Sequence, residues 1–572
     1  MLKKMMALLL AAAMLVMSAC SGSQPNSQGS TAEASQTQTS QAQTSQGQTS
    51  QAGQVSQPEN SVPGNEFVQN ADGSFISGGV QFPLSETRTY TWWRSCDAQL
   101  LDLVNGDLNN NDCFKELELR TNIHYDFVIP AVGTDREKFA QMFISDSLPD
   151  IISGASYYQE GLDGGVDDGY YLDLTELIPQ YMPDYYNVLK DANILADMVT
   201  PENRLVTIGM IYQYAQAPFS GFIIRQDWLD DLNLPMPETF DELENTLTAF
   251  KEKKGATVPL AFTKVGLFSM AYAYNVFFET QNDGGSSYRK GDHVVDALLE
   301  NPDDMKAYLQ KMHDWFDKGL LDPNFMASIG YFVDASLVNN GATGVTTCMY
   351  SQMETKYPAA MEQGARFAGM PWPKINKTDK LHMAPAAGNG TATQGVALNA
   401  NIEEPEIVLA AFNYLFTEPG FLLANYGKEG DTYNIVDGKV VLTDKMLENV
   451  GNGIRLYALP SSWAPMWVDP DRQNSAFTQV ALDAQKAWTP DDLEMNIPQA
   501  AKYFTPEERA ELTNILGDLM TYEEEYFLKV VTGAGSFDDW DAFLAQCKNL
   551  GVERATEIRD AAFQRYLQRK SQ

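Results

Sequence analysis

Cysteine, histidine and basic residues are scarce in this chain. Its 572 residues hold five cysteines and four histidines, and 40 Lys and Arg stand against 76 Asp and Glu, a formal net charge of −36. Binding a phosphate backbone needs a basic surface, so nucleic acid is excluded as a partner. Cys96, Cys113, Cys348 and Cys547 form no CxxC pair and no metal-like spacing. Four separate buried thiols are expected, with a Cys96–Cys113 bridge as the alternative. His124, His293, His313 and His382 likewise lack the spacing of metal ligands. There is no HExxH, no GxSxG and no phosphate loop. Paired carboxylates, which glycoside hydrolysis requires, arise by chance in so acidic a chain. No catalysis, cofactor or metal is expected. Beyond the N-terminus no apolar run approaches about 20 residues, so no transmembrane helix is expected.

The first residues are the most distinctive part of what is present. Lys3 and Lys4 precede an apolar run, Met5–Met17, then the small residues Ser18 and Ala19, then Cys20. A charged start, a short apolar core and small residues at a cut site are the layout of an export signal. With Cys20 after Ala19 the segment resembles a lipoprotein signal, which implies lipidation of Cys20. Met17 stands where that pattern prefers Leu. Residues 21–80 follow as a tether, Ser-, Gln- and Thr-rich over Ser21–Gly64. Such a segment buries too little apolar surface to offset its ordering entropy and is expected to stay disordered.

From about Val80 onward, strand and helix patterns alternate. Strands are expected over Gln81–Ser95, Ile123–Pro130, Leu148–Gly154, Leu205–Met210, Phe222–Arg225, Thr343–Met349 and Thr393–Leu398. Helices are expected over Phe114–Thr121, Asp135–Phe143, Phe240–Lys253 behind the cap Thr239, Met305–Lys318 and Glu404–Phe416. A short helix opens at Asp173 and is closed by Pro179 and Pro183. The end of the chain, from Pro506, is strongly helical. This alternation argues an α/β body with parallel pairing.

Several segments together resemble one family. They are Leu148-Pro149-Asp150-Ile151-Ile152, Asp167-Asp168-Gly169-Tyr170-Tyr171-Leu172-Asp173-Leu174, Ile224-Arg225-Gln226-Asp227-Trp228-Leu229, Gly319-Leu320-Leu321-Asp322-Pro323, Tyr426-Gly427-Lys428-Glu429-Gly430, Phe537-Asp538-Asp539-Trp540 and Phe563-Gln564-Arg565-Tyr566. In order and spacing they resemble the extracellular solute-binding lipoproteins of bacterial ABC importers, in the LipO-like, oligosaccharide-associated subgroup. The resemblance implies a type II periplasmic-binding-protein-like fold: two discontinuous α/β lobes with a hinge and a helical C-terminal region. The expected division is residues 81–210 with 393–426 in lobe 1 and 211–392 with 427–572 in lobe 2. It also implies an oligosaccharide ligand, ABC permease subunits as partners, a monomer, and a place on the extracytoplasmic face of the membrane. A peptide-binding or signalling surface lipoprotein is the alternative, and a surface glycoside hydrolase a more distant one. Many members of that family carry an acidic calcium-type loop where this chain has Lys251-Glu252-Lys253-Lys254. Calcium needs several oxygen ligands, so none is expected there.

A sugar offers hydroxyls at its edge and C–H patches on its faces, which call for aromatic platforms and polar side chains. The candidates are Trp92 and Trp93 at a strand end, one to the core and one to the cleft, and Tyr157, Tyr158 and Glu160 after the strand Ile151–Gly154. Tyr212, Gln213 and Tyr214 stand at the first suspected crossover. Trp372, Trp463 and Trp467, in proline-punctuated segments, are expected to be exposed platforms. Glu429 is a candidate hydroxyl acceptor. Arg225 is expected to pair with Asp227, and Trp228 and Trp540 to be structural. Asp163, Asp167 and Asp168 are expected to form a solvated turn.

Overall fold

The computed structural model describes residues 67–145, 147–213, 218–274, 286–325, 333–381, 395–448, 450–460, 465–470, 472, 477–489, 495–496 and 503–571. The signal, Cys20 and residues 21–66 lie outside them; residues 67–80, expected as disordered tether, are folded, with Phe75–Ser77 paired to Val80–Phe82 and Phe75 and Ser77 buried.

Nine strands form the two main sheets. They are β1 (Arg88–Trp93), β2 (Ile123–Val128), β3 (Ile151–Ser153), β4 (Ile208–Tyr212), β5 (Ser220–Arg225), β6 (Val345–Met349), β7 (Phe367–Met370), β8 (Gly395–Leu398) and β9 (Met466–Val468). The first sheet has the order β9-β4-β8-β3-β1-β2, and the second the order β6-β5-β7. In the first, β1 runs parallel to both β2 and β3, and β9 runs parallel to β4. Strand β8 is antiparallel to both of its neighbours, β3 and β4. The second sheet is antiparallel throughout. The expectation of parallel pairing therefore holds only in part. The reason is topological: β8 arrives from the other sheet and inserts between two strands against their direction.

Buried residues fall into two large clusters. One packs under the first sheet, around Trp92, Tyr125, Ile151, Ile208, Val396, Phe412 and Met466. The other surrounds the second sheet and takes in the C-terminal helices, around Ile223, Leu247, Tyr308, Trp315, Val345 and Phe563. The chain passes between the sheets three times: from β4 to β5 through 213–219, from β7 to β8 through 371–394, and from β9 through 469–478 to the helix Gln479–Trp488. That helix covers strands β5 and β7. The placement of residues 427–572 wholly with the second lobe is corrected here: Met466–Val468 pair with β4, and Tyr433 and Leu459 belong to the first cluster.

Local chemistry accounts for most element ends. Thr239 caps Phe240–Lys254 by accepting the Glu242 N–H, and Gly255 closes it in the left-handed conformation that glycine adopts without strain. Lys251, Lys253 and Lys254 sit in its last turn, where cations suit the helix dipole, and Lys254 pairs with Asp231 at 2.7 Å. Thr505 and Glu508 form a reciprocal capping box at the start of Pro506–Val531. Pro405 occupies the first turn of Pro405–Tyr414. Pro179 does not terminate a helix: it lies within Leu177–Tyr181, and Pro183 opens the next helix, Pro183–Asp191. In the first turn a missing N–H costs nothing, so proline starts helices more readily than it stops them. The helix Gln479–Trp488 reaches its sheet because two strand positions are glycines. A Cβ on Gly221 would stand 2.4 Å from the Trp488 ring, and one on Gly369 2.3 Å from the Ala484 Cα.

Among the described residues no single helix is long and apolar enough to cross a membrane. The pair Pro405–Tyr414 and Glu418–Tyr426 is apolar enough together, but it bends by 76° and its side chains build the first core. The four cysteines are free thiols; Cys113, Cys348 and Cys547 are buried and Cys96 is half-buried.

Candidate functional site

The strand ends at which the chain leaves one sheet and enters the other carry aromatic and polar side chains. Strand β4 ends at Tyr212 and β9 at Val468, which are paired partners, and the Gln213 N–H donates to the Val468 carbonyl at 3.0 Å. Strand β5 begins at Ser220, paired with Met349 at the end of β6, and the Tyr350 N–H donates to the Phe219 carbonyl at 3.1 Å. Tyr212 from the first sheet and Tyr350 from the second both lie in electrostatic reach of the Arg472 guanidinium, with Gln213 following the one and Phe219 bonded to the other. Tyr212, Gln213 and Tyr350 are half-buried and Phe219 is exposed, so the rings are supported yet reachable. Phe477 packs edge-on against Tyr350, with centroids 4.9 Å apart.

The third crossover adds charge. The Asp469 N–H donates to Asn425 Oδ1 at 2.9 Å, and the Asp469 carboxylate accepts the Tyr426 hydroxyl. Arg472 follows, only 5% exposed, with Tyr212, Tyr426, Asp469 and Tyr350 in electrostatic reach of its guanidinium. Burial lowers the pKa of that guanidinium, and these neighbours oppose the shift. Aromatic rings, phenolic hydroxyls, a carboxylate and a guanidinium together suit a polyhydroxylated ligand with apolar faces.

Sequence candidates divide sharply against this geometry. Tyr212 and Gln213 lie in the junction itself, whereas Tyr214 and Trp463 fall outside the described residues. Trp92 is buried in the first core, its indole N–H donating to Ser153 Oγ at 2.9 Å. Trp93 points to the other face of the sheet and is buried among Phe139, Met142, Ile152 and Tyr171, so neither ring of the pair is an open platform. Trp372 is corrected most plainly. It is 3% exposed, lies edge-on to Phe222, and donates its N–H to the Trp488 carbonyl at 2.9 Å. Trp467 belongs to strand β9 rather than to a loop, and packs edge-on against Phe421. Tyr157 and Tyr158 are half-buried: Arg136 covers Tyr157 with its guanidinium 4.9 Å from the ring centroid, and the Tyr158 hydroxyl donates to Asp168 at 2.6 Å. Glu160 and Glu429 are exposed. The expected acidic turn is instead a helix, Gly161–Asp167, and it is tied down: Asp163 accepts from Thr200 and Asp167 pairs with Arg204 at 2.8 Å. Arg225 and Asp227 form the expected pair, with bonds of 2.8 and 2.6 Å.

Asp469, Arg472, Tyr350 and Tyr426 were not candidates in the sequence. No motif marks Arg472, since a lone basic residue in a loop ordinarily reads as solvated. Among the described residues no group of three or more His, Cys, Asp or Glu could hold a metal ion.

A mixed six-stranded sheet and a smaller antiparallel sheet, joined by crossing segments that carry polar and aromatic side chains, define a binding protein of the type II periplasmic kind. The solved structure of the alginate-binding protein AlgQ2 shares this fold with a TM-score of 0.63 at 22% identity, over 84% of this chain and 99% of that one. Residues 115–420, just over half of the chain, match the family model described as bacterial extracellular solute-binding protein, and the chain belongs to that family. Its similarities include the polygalacturonan/rhamnogalacturonan-binding protein YtcQ of Bacillus subtilis, 24% identical over 56% of this chain and 63% of that one. The fructooligosaccharide ABC transporter substrate-binding protein FusA of Streptococcus pneumoniae is 26% identical over 43% of this chain and 47% of that one. The chain thus spans between about half and two thirds of the length of these curated relatives.

Proposed function

We propose that this protein is a non-catalytic, lipid-anchored receptor that captures an oligosaccharide between two lobes and delivers it to an ABC permease. The observation that carries this reading is that Tyr212 from one sheet and Tyr350 from the other, with Asp469, all lie in electrostatic reach of Arg472. A ligand held there touches both halves, so it favours whichever arrangement brings them together. Lobe 1 is the body around the first sheet, including 427–468, and lobe 2 the body around the second sheet with the C-terminal helices. YtcQ and FusA, by their names, bind a pectic polysaccharide and fructooligosaccharides, which supports a glycan as ligand class. Micromolar capture corresponds to about −8 kcal/mol, within reach of a few stacked rings and charge-assisted hydrogen bonds. Cys20 supplies the anchor and residues 21–66 the tether, since Phe75 already packs in the first core, and the body stands on the extracytoplasmic face as a monomer.

Equilibrium dialysis of the chain from Ser21 against mixed oligosaccharides and peptides, read by mass spectrometry, tests the reading. Retention of an intact oligosaccharide is expected. Retention of peptides alone, or appearance of shortened glycans, would replace it with the peptide-receptor or hydrolase alternative. Metabolic labelling with palmitate tests the anchor, with label expected on the native chain and absent from Cys20→Ser.

A further inference from the structure

Of the four buried arginines among the described residues, two are compensated and two are not. Arg225 is clamped by Asp227, and Arg559 donates to Ser287 at 2.6 Å beside Asp296 and Glu523. Arg94, fully buried, lies over the rings of Trp92 and Phe114 and donates to the Pro460 carbonyl at 2.6 Å, but its Nε and Nη1 have no hydrogen-bond partner. Arg472 is the other uncompensated one, set apart from Arg94 by its place between the two sheets. It is 5% exposed, its Nη1 has no hydrogen-bond partner, and it forms no ion pair among the described residues. Asp469, a carboxylate in its electrostatic reach, is already engaged by the Tyr426 hydroxyl. An uncompensated guanidinium removed from water is costly, and each such group calls for a physical reason. This one sits on a segment joining the two sheets, in electrostatic reach of Tyr212 and Tyr350, one from each.

We infer that Arg472 is a ligand-binding residue that receives a carboxylate, so that the oligosaccharide captured here carries uronic acid units. A planar guanidinium donates two parallel hydrogen bonds to a carboxylate and meets its charge, which the hydroxyls of a neutral sugar do not carry. The surrounding tyrosines supply faces for the ring and hydroxyl partners for its remaining edge. The chain as a whole is strongly acidic, which repels an anionic glycan at a distance. A single dedicated cation inside the junction therefore confers selectivity for the carboxylate rather than general attraction to anions. This inference rests on the proposed oligosaccharide-receptor function and names its ligand class.

The test is calorimetry of the chain from Ser21 with trigalacturonate and with the same trisaccharide after reduction of its carboxyl groups, in wild type, Arg472→Gln and Arg472→Lys. The acidic trisaccharide is expected to bind at least about tenfold tighter than the reduced one. Arg472→Gln should lose about tenfold or more for the acidic form and stay within about twofold for the reduced form, with Arg472→Lys between. The wild-type preference decides the matter even where Arg472→Gln does not fold. Equal affinity for both trisaccharides, or equal loss for both in Arg472→Gln, would overturn the inference. Binding of neutral oligosaccharides from a wider panel with none of trigalacturonate would overturn it and leave the oligosaccharide-receptor function standing. Absence of binding to any glycan would sink both.

Discussion

Replacing Asp227 by Asn keeps the shape of the side chain and removes its charge. In the native protein this carboxylate holds Arg225 through bonds of 2.8 and 2.6 Å and accepts the Arg366 N–H at 3.1 Å. Arg225 in turn lies over the Trp228 ring, 4.3 Å from its centroid, at the end of the central strand β5. Breaking a fully buried pair costs about 3–5 kcal/mol because the surviving charge is left uncompensated. Here the side chains are 11% and 18% exposed, so water screens part of the loss and about 2–4 kcal/mol is expected. Urea unfolding followed by tryptophan fluorescence measures it, since Trp228 reports the transition of the second core. Burial alone would raise the Asp227 pKa, but the hydrogen bonds from Arg225 and Arg366 and the Arg225 charge hold it below 3.8. A depressed carboxylate pKa stabilises the fold above its unfolded value and loses that stabilisation as pH falls through the folded value. The gap between wild type and Asp227→Asn should therefore be full at neutral pH and shrink below about pH 4. A loss under about 0.5 kcal/mol at pH 7, or a gap that widens in acid, would refute this reasoning.

Three further outcomes are expected. Gly221→Ala should destabilise by about 1–3 kcal/mol in the same urea assay, because the new methyl group meets the Trp488 ring and the helix cannot retreat without losing the Trp488 N–H bond to Phe222. Glu523 is buried, and burial followed by the charge of Asp296 raises its pKa well above 4.5. Its contribution is full below the unfolded carboxylate pKa and lost as pH rises through the folded one, so Glu523→Gln should gain on wild type as pH rises and match it in acid, read by thermal melts across pH. Burial also raises the thiol pKa of Cys113 and Cys547, and that of Cys348 to about 12. Burial raises the Cys96 thiol too, but Cys96 alone is half-buried, so thiol titration of the native chain from Ser21 should find it reacting slowly and before the other three, and all four reacting in denaturant.

Elements whose ends are set by local chemistry were legible in the sequence. Thr239 as a cap, Pro405 in a first turn and the Arg225–Asp227 pair all follow from residues within a few positions of one another. Features decided by distant neighbours were not. Trp372 stands between two prolines, which suggests an exposed loop, yet Phe222, Tyr272 and Trp488 close around it from elsewhere in the chain. Trp467 is buried because Met466–Val468 find a free edge beside β4, a pairing separated by more than 250 residues. The reversed strand β8 depends on the route of the chain between sheets, which no local pattern encodes. The junction was half legible: Tyr212 and Gln213 were found from the crossover, and Arg472 was not, since its burial is tertiary.

A crystal structure of the chain from Ser21 with a bound oligosaccharide tests the central claim most directly. Density for the sugar is expected at the ends of β4 and β9, in contact with Tyr212 or Gln213 on one side and Phe219 or Tyr350 on the other. A sugar seated on one body alone, away from the crossing segments, would contradict it.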